Sequence, residues 1–463
     1  MAPKPFDPPT DTIVLRLPST RNKKPLSHRG SESVQSVSVI PLSDSRRTRL
    51  VLERLQTIEA ICLRSPEQET QWRLPGRASD RLLLYVADGR RSAWARHCIS
   101  QATRTVFLAD ADSNAVERGA MAFAGEMRHN ASLVLVHGAN ASTPATQPEW
   151  LRHFQDGQIL HIRSESRVDL ESALRLVTHR AMCVVFSGGG ARALAHVGAL
   201  LAFEEKGLAI DAVGGASMGG LVAALVAQGR SAGEVLEGMR RHLVDSNPIC
   251  DYTFPLVSLV RGRRLAGAFT DVFGEATIEN LWKPFFCVST DLASHSLVVH
   301  RSGPVSLALR ASTAIPGLLP PVTDDGRVLV DGCIMDSLPT TVMRAMHRGP
   351  IVGIDVSANF VIAAKDLDVE NRPWFWPFRG GASNLPPLAR ILMSCAAASA
   401  GAHLSASRAA ADLLIEPNVA GINLLSFKAF DKAVEAGYQA AIEAIPRLEA
   451  SRAAALPTIG VAA

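Results

Sequence analysis

The sequence predicts an α/β fold, on the strength of three observations. Short apolar segments with strand character alternate with helical segments, glycine clusters follow two of the strands, and a third strand ends in an Asp-Gly turn. Alternating strands and helices are typical of a sheet covered by helices. We therefore expect a small open α/β domain followed by a larger α/β unit.

The small domain is expected at 36–180, behind a Pro-rich, basic tail at 1–35 that we expect to be disordered. Its predicted strands are Val37–Ile40, Leu82–Val86, Thr105–Leu108, Leu133–Val136 and Ile159–Ile162. It contains neither a glycine phosphate loop nor a cluster of catalytic residue types. The larger domain is expected at 181–450, and a flexible tail at 451–463.

A serine between glycines marks a strand-to-helix junction in the larger domain. Ser217 lies within Gly214–Gly220, after the apolar strand Leu208–Val213 and before the helical run Leu221–Val226. Glycines around such an elbow permit the tight backbone that exposes the hydroxyl, and the helix directs its positive end towards it. Ser217 is the predicted nucleophile.

A second glycine element lies upstream. Gly188, Gly189 and Gly190 follow the apolar strand Met182–Phe186 and lead into a helical segment that begins near Arg192. Free backbone N–H groups at a helix start stabilise an anion, so this loop is a predicted oxyanion hole.

The same loop has a rival interpretation as a dinucleotide-binding turn. Gly188, Gly190 and Ala193 fit G-x-G-x-x-A after a strand, and Asp211 stands where a ribose-binding acid is expected. Against it, the strand that carries Asp211 leads directly into the Ser217 elbow, which a dinucleotide site does not require.

The candidate base is Asp331, which the apolar strand Val328–Val330 carries into a turn with Gly332. A carboxylate placed there can accept a proton from a nucleophile. The plainer alternative is a turn cap, because Asp-Gly is a common turn dipeptide.

Together these three motifs, Gly188–Arg192, Gly215–Gly219 and Asp331–Gly332, resemble the patatin-like phospholipases, and further segments are similar to the neuropathy target esterase branch. The likeness extends from about Met182 to Gly437. It implies a patatin-like three-layer α/β/α hydrolase that works with a Ser-Asp dyad, without a metal or another cofactor. The region before the hydrolase resembles the one in that branch, but no cyclic-nucleotide module is expected.

For the site, the resemblance implies that Ser217 attacks an ester carbonyl and that Asp331 takes its proton. The amides of Gly188, Gly189 and Gly190 would hold the oxyanion, and Arg192 would place positive charge near a lipid phosphate or near the oxyanion. The plainer alternative for Arg192 is an ion pair with a surface acid. His196, one helical turn further on, is expected to be structural. One departure is Cys333, since the family usually has Gly or Ala after Asp-Gly.

The predicted activity is hydrolysis of carboxyl esters of phospholipids or lysophospholipids through an acyl-enzyme. Two alternatives remain open. Cys333 could mark a degenerate dyad in a lipid-binding or scaffold protein, and the same dyad could transfer the acyl group to an acceptor other than water.

Composition limits the remaining classes. The chain has 463 residues, a formal net charge of +4 and seven cysteines without paired spacing. This balance is too weak to indicate nucleic-acid binding, and the cysteines indicate reduced thiols rather than a disulfide framework. No signal peptide or apolar run of roughly 18 residues is present. We expect a cytoplasmic protein that contacts the inner face of the membrane peripherally.

Two segments are candidates for that contact. Trp374–Phe378 concentrates aromatic residues in a predicted loop, which suits either the headgroup boundary or a local core. Arg261, Arg263 and Arg264 form a basic loop, which suits either phosphate binding or a solvated surface.

Overall fold

The first part of the chain forms a six-stranded parallel sheet with strand order β2-β3-β1-β4-β5-β6. The computed structural model describes residues 36–55, 60–64, 82–87, 92–112, 131–146, 154, 158–246, 248–254, 256–346, 349–357 and 403–455. The strands are β1 (Ser36–Pro41), β2 (Ala60–Arg64), β3 (Leu82–Val86), β4 (Arg104–Asp110), β5 (Ala131–His137) and β6 (Gln158–Arg163). All five predicted strands of this domain are present, and β2 was not predicted.

The helices α1 (Arg46–Leu55) and α2 (Ala93–Gln101) accompany this sheet. Because side chains alternate along a strand, Val37 and Val39 pack with α1 through Val51, whereas Ile40 packs with Trp94 of α2. Helices therefore cover both faces of the open α/β sheet.

The second sheet has eight strands in the order β11-β12-β9-β8-β7-β13-β14, with β10 paired to β9. They are β7 (Cys183–Phe186), β8 (Ala212–Ala216), β9 (Phe285–Asp291), β10 (Ser296–His300), β11 (Val322–Asp324), β12 (Arg327–Asp331), β13 (Ile351–Ile354) and β14 (Leu413–Ile415). The strands from β9 to β14 along this order run parallel, while β10 and β12 pair antiparallel with β9, and β11 with β12. β7, β8 and β9 are therefore central and buried.

The helices around this sheet are α3 (Arg167–Val177), α4 (Leu194–Glu205), α5 (Ser217–Ala227), α6 (Ala232–Met239), α7 (Arg263–Phe273), α8 (Val305–Ser312), α9 (Thr340–Ala345) and α10 (Phe430–Ala455). Val184 and Phe186 face a core shared with α4, α5 and α10, and Cys183 and Val185 face the opposite core with α3 and α9. Helices on both faces make the three-layer α/β/α arrangement expected of a patatin-like hydrolase.

α3 packs between the two sheets. Its residues Leu170 and Leu176 belong to one buried cluster that contains Val134 of β5 and Val185 of β7. Polar contacts add to this junction, because Trp282 Nε1 donates to the Ser142 carbonyl at 3.1 Å.

At the C-terminal end, α10 confirms the helix predicted from Phe427 to Leu448 and continues to Ala455, past the predicted limit at 450. Its Gly437 packs so closely on α4 that a Cβ there would lie 1.7 Å from the Ala195 carbonyl oxygen. The helix predicted at 386–411 lies mostly outside the described residues, of which 403–410 are helical.

Candidate active site

The predicted elbow is a sharp junction between β8 and α5. Ser217 is the first residue of α5 and has a positive φ of 52°, a conformation that costs a non-glycine residue energy. Gly219 makes the turn sterically feasible, since a Cβ there would lie 2.4 Å from the carbonyl oxygens of Phe186 and Ser187. The elbow thus presents Ser217 beside the carboxyl end of β7.

Asp331 ends β12, which pairs with β9 so that Asp331 lies opposite Ser289. Its own backbone is held on both sides, because its N–H donates to the Ala314 carbonyl at 3.0 Å and its carbonyl accepts from Thr290 Oγ1 at 3.1 Å. The carboxyl group is therefore carried by a fixed strand end.

The structure brings these two predicted residues together. Ser217 Oγ donates to Asp331 Oδ2 at 2.6 Å, and the two side chains are 3% and 0% exposed. The other carboxylate oxygen, Oδ1, accepts from the Cys333 N–H at 2.9 Å. Both oxygens are thus oriented, and Oδ2 faces the serine without an intervening imidazole.

Burial sets the electrostatics of this pair. Desolvation raises the pKa of the Asp331 carboxyl from 3.8 to about 6, and hydrogen bonds from Ser217 and Cys333 offset part of that rise. A carboxylate with a raised pKa is a stronger proton acceptor and is still ionised near neutral pH. Asp331 can therefore accept the serine proton near neutral pH.

Ser312 is a further residue of the site, and sequence reasoning assigned it no role. Its Oγ accepts a hydrogen bond from the Ser217 N–H at 2.9 Å, and the side chain is fully buried at the end of α8. The contact supports the strained backbone of the elbow. No local pattern reveals it, because 95 residues separate the two serines.

In the glycine loop, the three predicted oxyanion donors are not equivalent. The Gly188 N–H donates to the Ser337 carbonyl at 2.9 Å, so this amide is already used. Within the described residues, the amides of Gly189 and Gly190 have no such acceptor. Gly190 has φ 55°, and a Cβ there would lie 2.3 Å from the Leu424 carbonyl oxygen. The available amides therefore belong to Gly189 and Gly190.

Arg192 lies in the short 3-10 turn Gly190–Ala193. Its Nε donates to the Ile422 carbonyl at 2.8 Å, and burial lowers the pKa of its half-buried guanidinium. The charge is thus anchored beside the glycine loop with part of its hydration removed.

His196 is fully buried, and its Nε2 donates to the Ser187 carbonyl at 2.8 Å. Burial lowers its pKa to about 4, so the imidazole is neutral at pH 7. It holds the residue before Gly188 in place and does not contact the serine, which agrees with the structural role expected from the sequence.

Cys333 lies against both members of the pair. Its thiol is within hydrogen-bonding reach of the Asp331 carboxylate and the Ser217 hydroxyl, and burial followed by the Asp331 charge raises the thiol pKa well above 9.0. A Cβ on Gly188 would lie 2.0 Å from Cys333 Sγ. The departure from the family pattern thus narrows the space beside the serine without separating the dyad.

The dinucleotide interpretation of the loop is not supported. Asp211, its proposed ribose-binding acid, is 1% exposed and accepts hydrogen bonds from Ser172 Oγ, from Arg175 Nε and Nη2, and from the Met182 N–H. Its carboxylate is saturated inside the fold, so a ribose hydroxyl would find no free acceptor.

The aromatic segment Trp374–Phe378 lies outside the described residues. Among the residues that are described, no group of three or more His, Cys, Asp or Glu side chains is placed to hold a metal ion. Within the same part of the chain, no helix combines the length and apolar character that a bilayer span requires.

Comparison with family models gives two matches along the chain. Residues 184–344 match the model described as patatin-like phospholipase, and residues 71–182 match the Neuropathy Target Esterase family P-loop like domain. The first match contains the Ser217 elbow, the glycine loop and Asp331.

Three relatives show how far the similarity reaches. The chain is 38% identical to an uncharacterized NTE family protein of Mycobacterium tuberculosis over 58% of its own length and 47% of the relative. It is 27% identical to human patatin-like phospholipase domain-containing protein 6 over 86% of this chain and 31% of the relative. Against mouse patatin-like phospholipase domain-containing protein 7, identity is 31%, over 60% of this chain and 23% of the relative. The chain spans less than half the length of these relatives.

Proposed function

We propose that this chain, which carries a patatin-like phospholipase domain behind a Neuropathy Target Esterase family P-loop like domain, is a serine esterase. In this proposal it hydrolyses carboxyl esters of phospholipids or lysophospholipids through Ser217 and Asp331. The observation that carries the proposal is the 2.6 Å hydrogen bond from Ser217 Oγ to Asp331 Oδ2 at a strained elbow.

The first half-reaction follows from that contact. As Ser217 Oγ attacks the ester carbonyl carbon, its proton passes to Asp331 Oδ2. The carbonyl π electrons move to oxygen, and the amides of Gly189 and Gly190 stabilise the charge. One such donor typically contributes about 2.7 to 4 kcal/mol. Collapse of the intermediate expels the lipid alcohol, which takes the proton from Asp331.

The second half-reaction reverses these roles. Asp331, again ionised, accepts a proton from water while the water oxygen attacks the acyl-serine carbonyl. Collapse of this intermediate releases the fatty acid and returns the proton to Ser217. A single carboxylate suffices for both steps because its buried site raises its pKa to about 6.

Two features support a phosphate-bearing substrate. Arg192 is anchored beside the glycine loop with a partly desolvated guanidinium, which strengthens its attraction to an anion. The relatives named after patatin-like phospholipase domains agree with this substrate class.

The test compares Ser217→Ala and Asp331→Asn with the parent enzyme on a soluble ester and on a mixed phospholipid extract. Both variants should lose ester hydrolysis while they keep the parent's circular dichroism spectrum. Ser289→Ala is the matched control, since this buried serine forms a hydrogen bond with His300 instead of with the Asp331 carboxylate. Turnover by the Ser217→Ala enzyme would refute the mechanism.

A fluorophosphonate probe separates the esterase from a degenerate lipid-binding protein. Labelling requires an activated serine hydroxyl, so the parent should be labelled at Ser217 and the alanine variant should not. A folded parent that stays unlabelled would favour the degenerate protein.

A further inference from the structure

One loop holds most of the exposed large apolar side chains among the described residues. The described residues include six exposed large apolar side chains, and four of the six lie within 252–257. They are Tyr252, Phe254, Leu256 and Val257, which are 57%, 78%, 84% and 68% exposed. We call these four residues the apolar tip. Exposed apolar side chains scattered singly are ordinary, whereas a cluster indicates a binding surface.

The apolar tip is carried on a closed neck. The Thr253 N–H donates to the Leu259 carbonyl at 3.0 Å, and the Arg261 N–H donates to the Asp251 carbonyl at 2.9 Å. Val260, at the base, is fully buried. The backbone therefore holds the four side chains outward although nothing described in the fold covers them.

Three arginines follow the neck along the chain, and we call them the basic collar. Arg261, Arg263 and Arg264 are exposed next to the apolar tip. The nearby carboxylate of Asp251 accepts from the Arg263 and Arg264 backbone N–H groups, so it caps the start of α7. The surface thus combines protruding apolar groups with positive charge.

The neck is also connected to the dyad. The N–H groups of Leu259 and Val260 donate to the carbonyls of Gly317 and Leu318 at 3.0 and 2.9 Å. The same segment supplies the Ala314 carbonyl that accepts from the Asp331 N–H at 3.0 Å. A short stretch of chain, 314–318, therefore joins the neck to the base of the dyad.

We propose that the apolar tip and the basic collar form a membrane-docking surface, in which the tip enters the headgroup region of an anionic bilayer and the arginines bind lipid phosphates. Aromatic and apolar side chains partition into the interface, and arginines near it are attracted by the negative surface potential. The inference rests on the proposed function in one respect, which is that lipid substrate would enter the enzyme through this face.

The charge pattern favours a bilayer over a protein surface or a second copy of the chain. In a symmetric contact between two copies, the three arginines of one copy would lie close to the three arginines of the other, and this repulsion is unfavourable. A sheet of anionic headgroups above an apolar interior matches both parts of the surface at once.

Vesicle sedimentation of the full chain tests the proposal without any turnover. The parent should bind vesicles of phosphatidylcholine mixed with phosphatidylserine more tightly than pure phosphatidylcholine. Phe254→Ser combined with Leu256→Ser should weaken binding about tenfold or more, since each side chain loses its apolar burial. Arg263→Gln should weaken binding to the anionic vesicles about fivefold, which corresponds to ~1 kcal/mol per arginine.

Matched controls are taken from α3 and α2. Val168→Ser removes another exposed apolar side chain, 64% exposed, and Arg96→Gln removes another exposed arginine. Neither should change vesicle binding. All variants should hydrolyse a soluble short-chain ester at the parent rate, so a failure of docking is distinguishable from a failure of the esterase mechanism.

Three results would overturn the proposal. They are a parent that binds neither vesicle, tip variants that bind like the parent, and controls that lose as much binding as the tip variants. If the double tip variant instead changed the mass measured by light scattering, with vesicle binding unchanged, the tip would be a contact between copies of the chain.

Discussion

The hydroxyl of Ser217 lies 2.6 Å from Oδ2 of Asp331, although 114 residues separate them in the sequence. Ser217 directly follows the end of β8 and Asp331 ends β12, with β9 between the two strands in the sheet. Two strand ends thus supply the nucleophile and the base directly, and a serine with positive φ is held at the contact by Ser312.

The first prediction concerns the pH dependence of hydrolysis. Asp331 accepts a proton only when ionised, and burial raises its pKa to about 6. We therefore expect kcat/KM on a soluble ester to fall as the pH drops through about 6. An acidic limb near the ordinary aspartate value of 3.8 would show that another group, or a hydrated Asp331, controls the rate.

The second prediction concerns stability. The pKa of Asp331 is raised in the folded state, so ionising this carboxyl destabilises the fold. That destabilisation is absent below the unfolded pKa of 3.8 and complete above about 6. At pH 8 the free energy of unfolding of Asp331→Asn should therefore exceed that of the parent by up to ~3 kcal/mol, and its melting temperature should be higher. At pH 4 the two proteins should be about equally stable.

Asp291→Asn serves as the control with the opposite sign. Hydrogen bonds from Ser294, Ala293 and Val328 outweigh desolvation and lower the pKa of Asp291. Its stabilisation is present above the unfolded pKa and lost as the pH falls, so this variant should be destabilised at pH 8. Equal destabilisation of both variants at pH 8 would contradict the stability argument for Asp331.

The third prediction concerns the support of the elbow. Ser312→Ala leaves the buried Ser217 N–H without its acceptor, which typically costs about 1 to 3 kcal/mol. Because the elbow is strained, we expect kcat to fall about tenfold or more as the hydroxyl loses its alignment. Thermal melts and initial rates measure the two effects.

Thr313→Val is the matched change for Ser312. The hydroxyl of this neighbouring residue donates to the Leu309 carbonyl of α8 instead of bonding the elbow. It should lose some stability but retain kcat. If both variants lost kcat in proportion to stability, Ser312 would be an ordinary core residue.

The fourth prediction concerns Cys333. Its thiol hydrogen bond helps to lower the pKa of Asp331, and its sulfur occupies space beside Gly188. Cys333→Ala should therefore remain active at pH 8 and shift the acidic limb of kcat/KM to higher pH. The buried Cys98 in the first domain offers a comparison, and Cys98→Ala should leave that limb unchanged. Loss of fluorophosphonate labelling in Cys333→Ala would instead make the thiol essential to the serine's activation.

Local sequence patterns predicted most elements of the site in the larger domain. The glycines around Ser217 and at 188–190 mark positions where the backbone bends sharply or approaches a neighbour, and such demands are visible without knowing the fold. Apolar runs likewise revealed the strands that end at Phe186 and Asp331. The strand Ala60–Arg64 was missed, although four of its five residues are apolar.

Residue types alone could not decide how the amides and side chains are used. In the sequence Gly188 looks equivalent to its two neighbours, yet its N–H already donates a hydrogen bond to the Ser337 carbonyl. Arg261, Arg263 and Arg264 were recognised as a basic loop, but the exposed side chains of 252–257 beside them were not, since exposure depends on what packs above a residue.

By itself the sequence determined the α/β class, the elbow serine, the glycine loop and the candidate base, because each depends on steric demands and apolar periodicity within about ten residues. Only the tertiary structure decided that Ser217 and Asp331 touch, that Ser312 supports them and that Asp211 is saturated. Those contacts span 29 to 114 residues of chain and arise from the order in which strands pair, which the packing of the whole sheet sets.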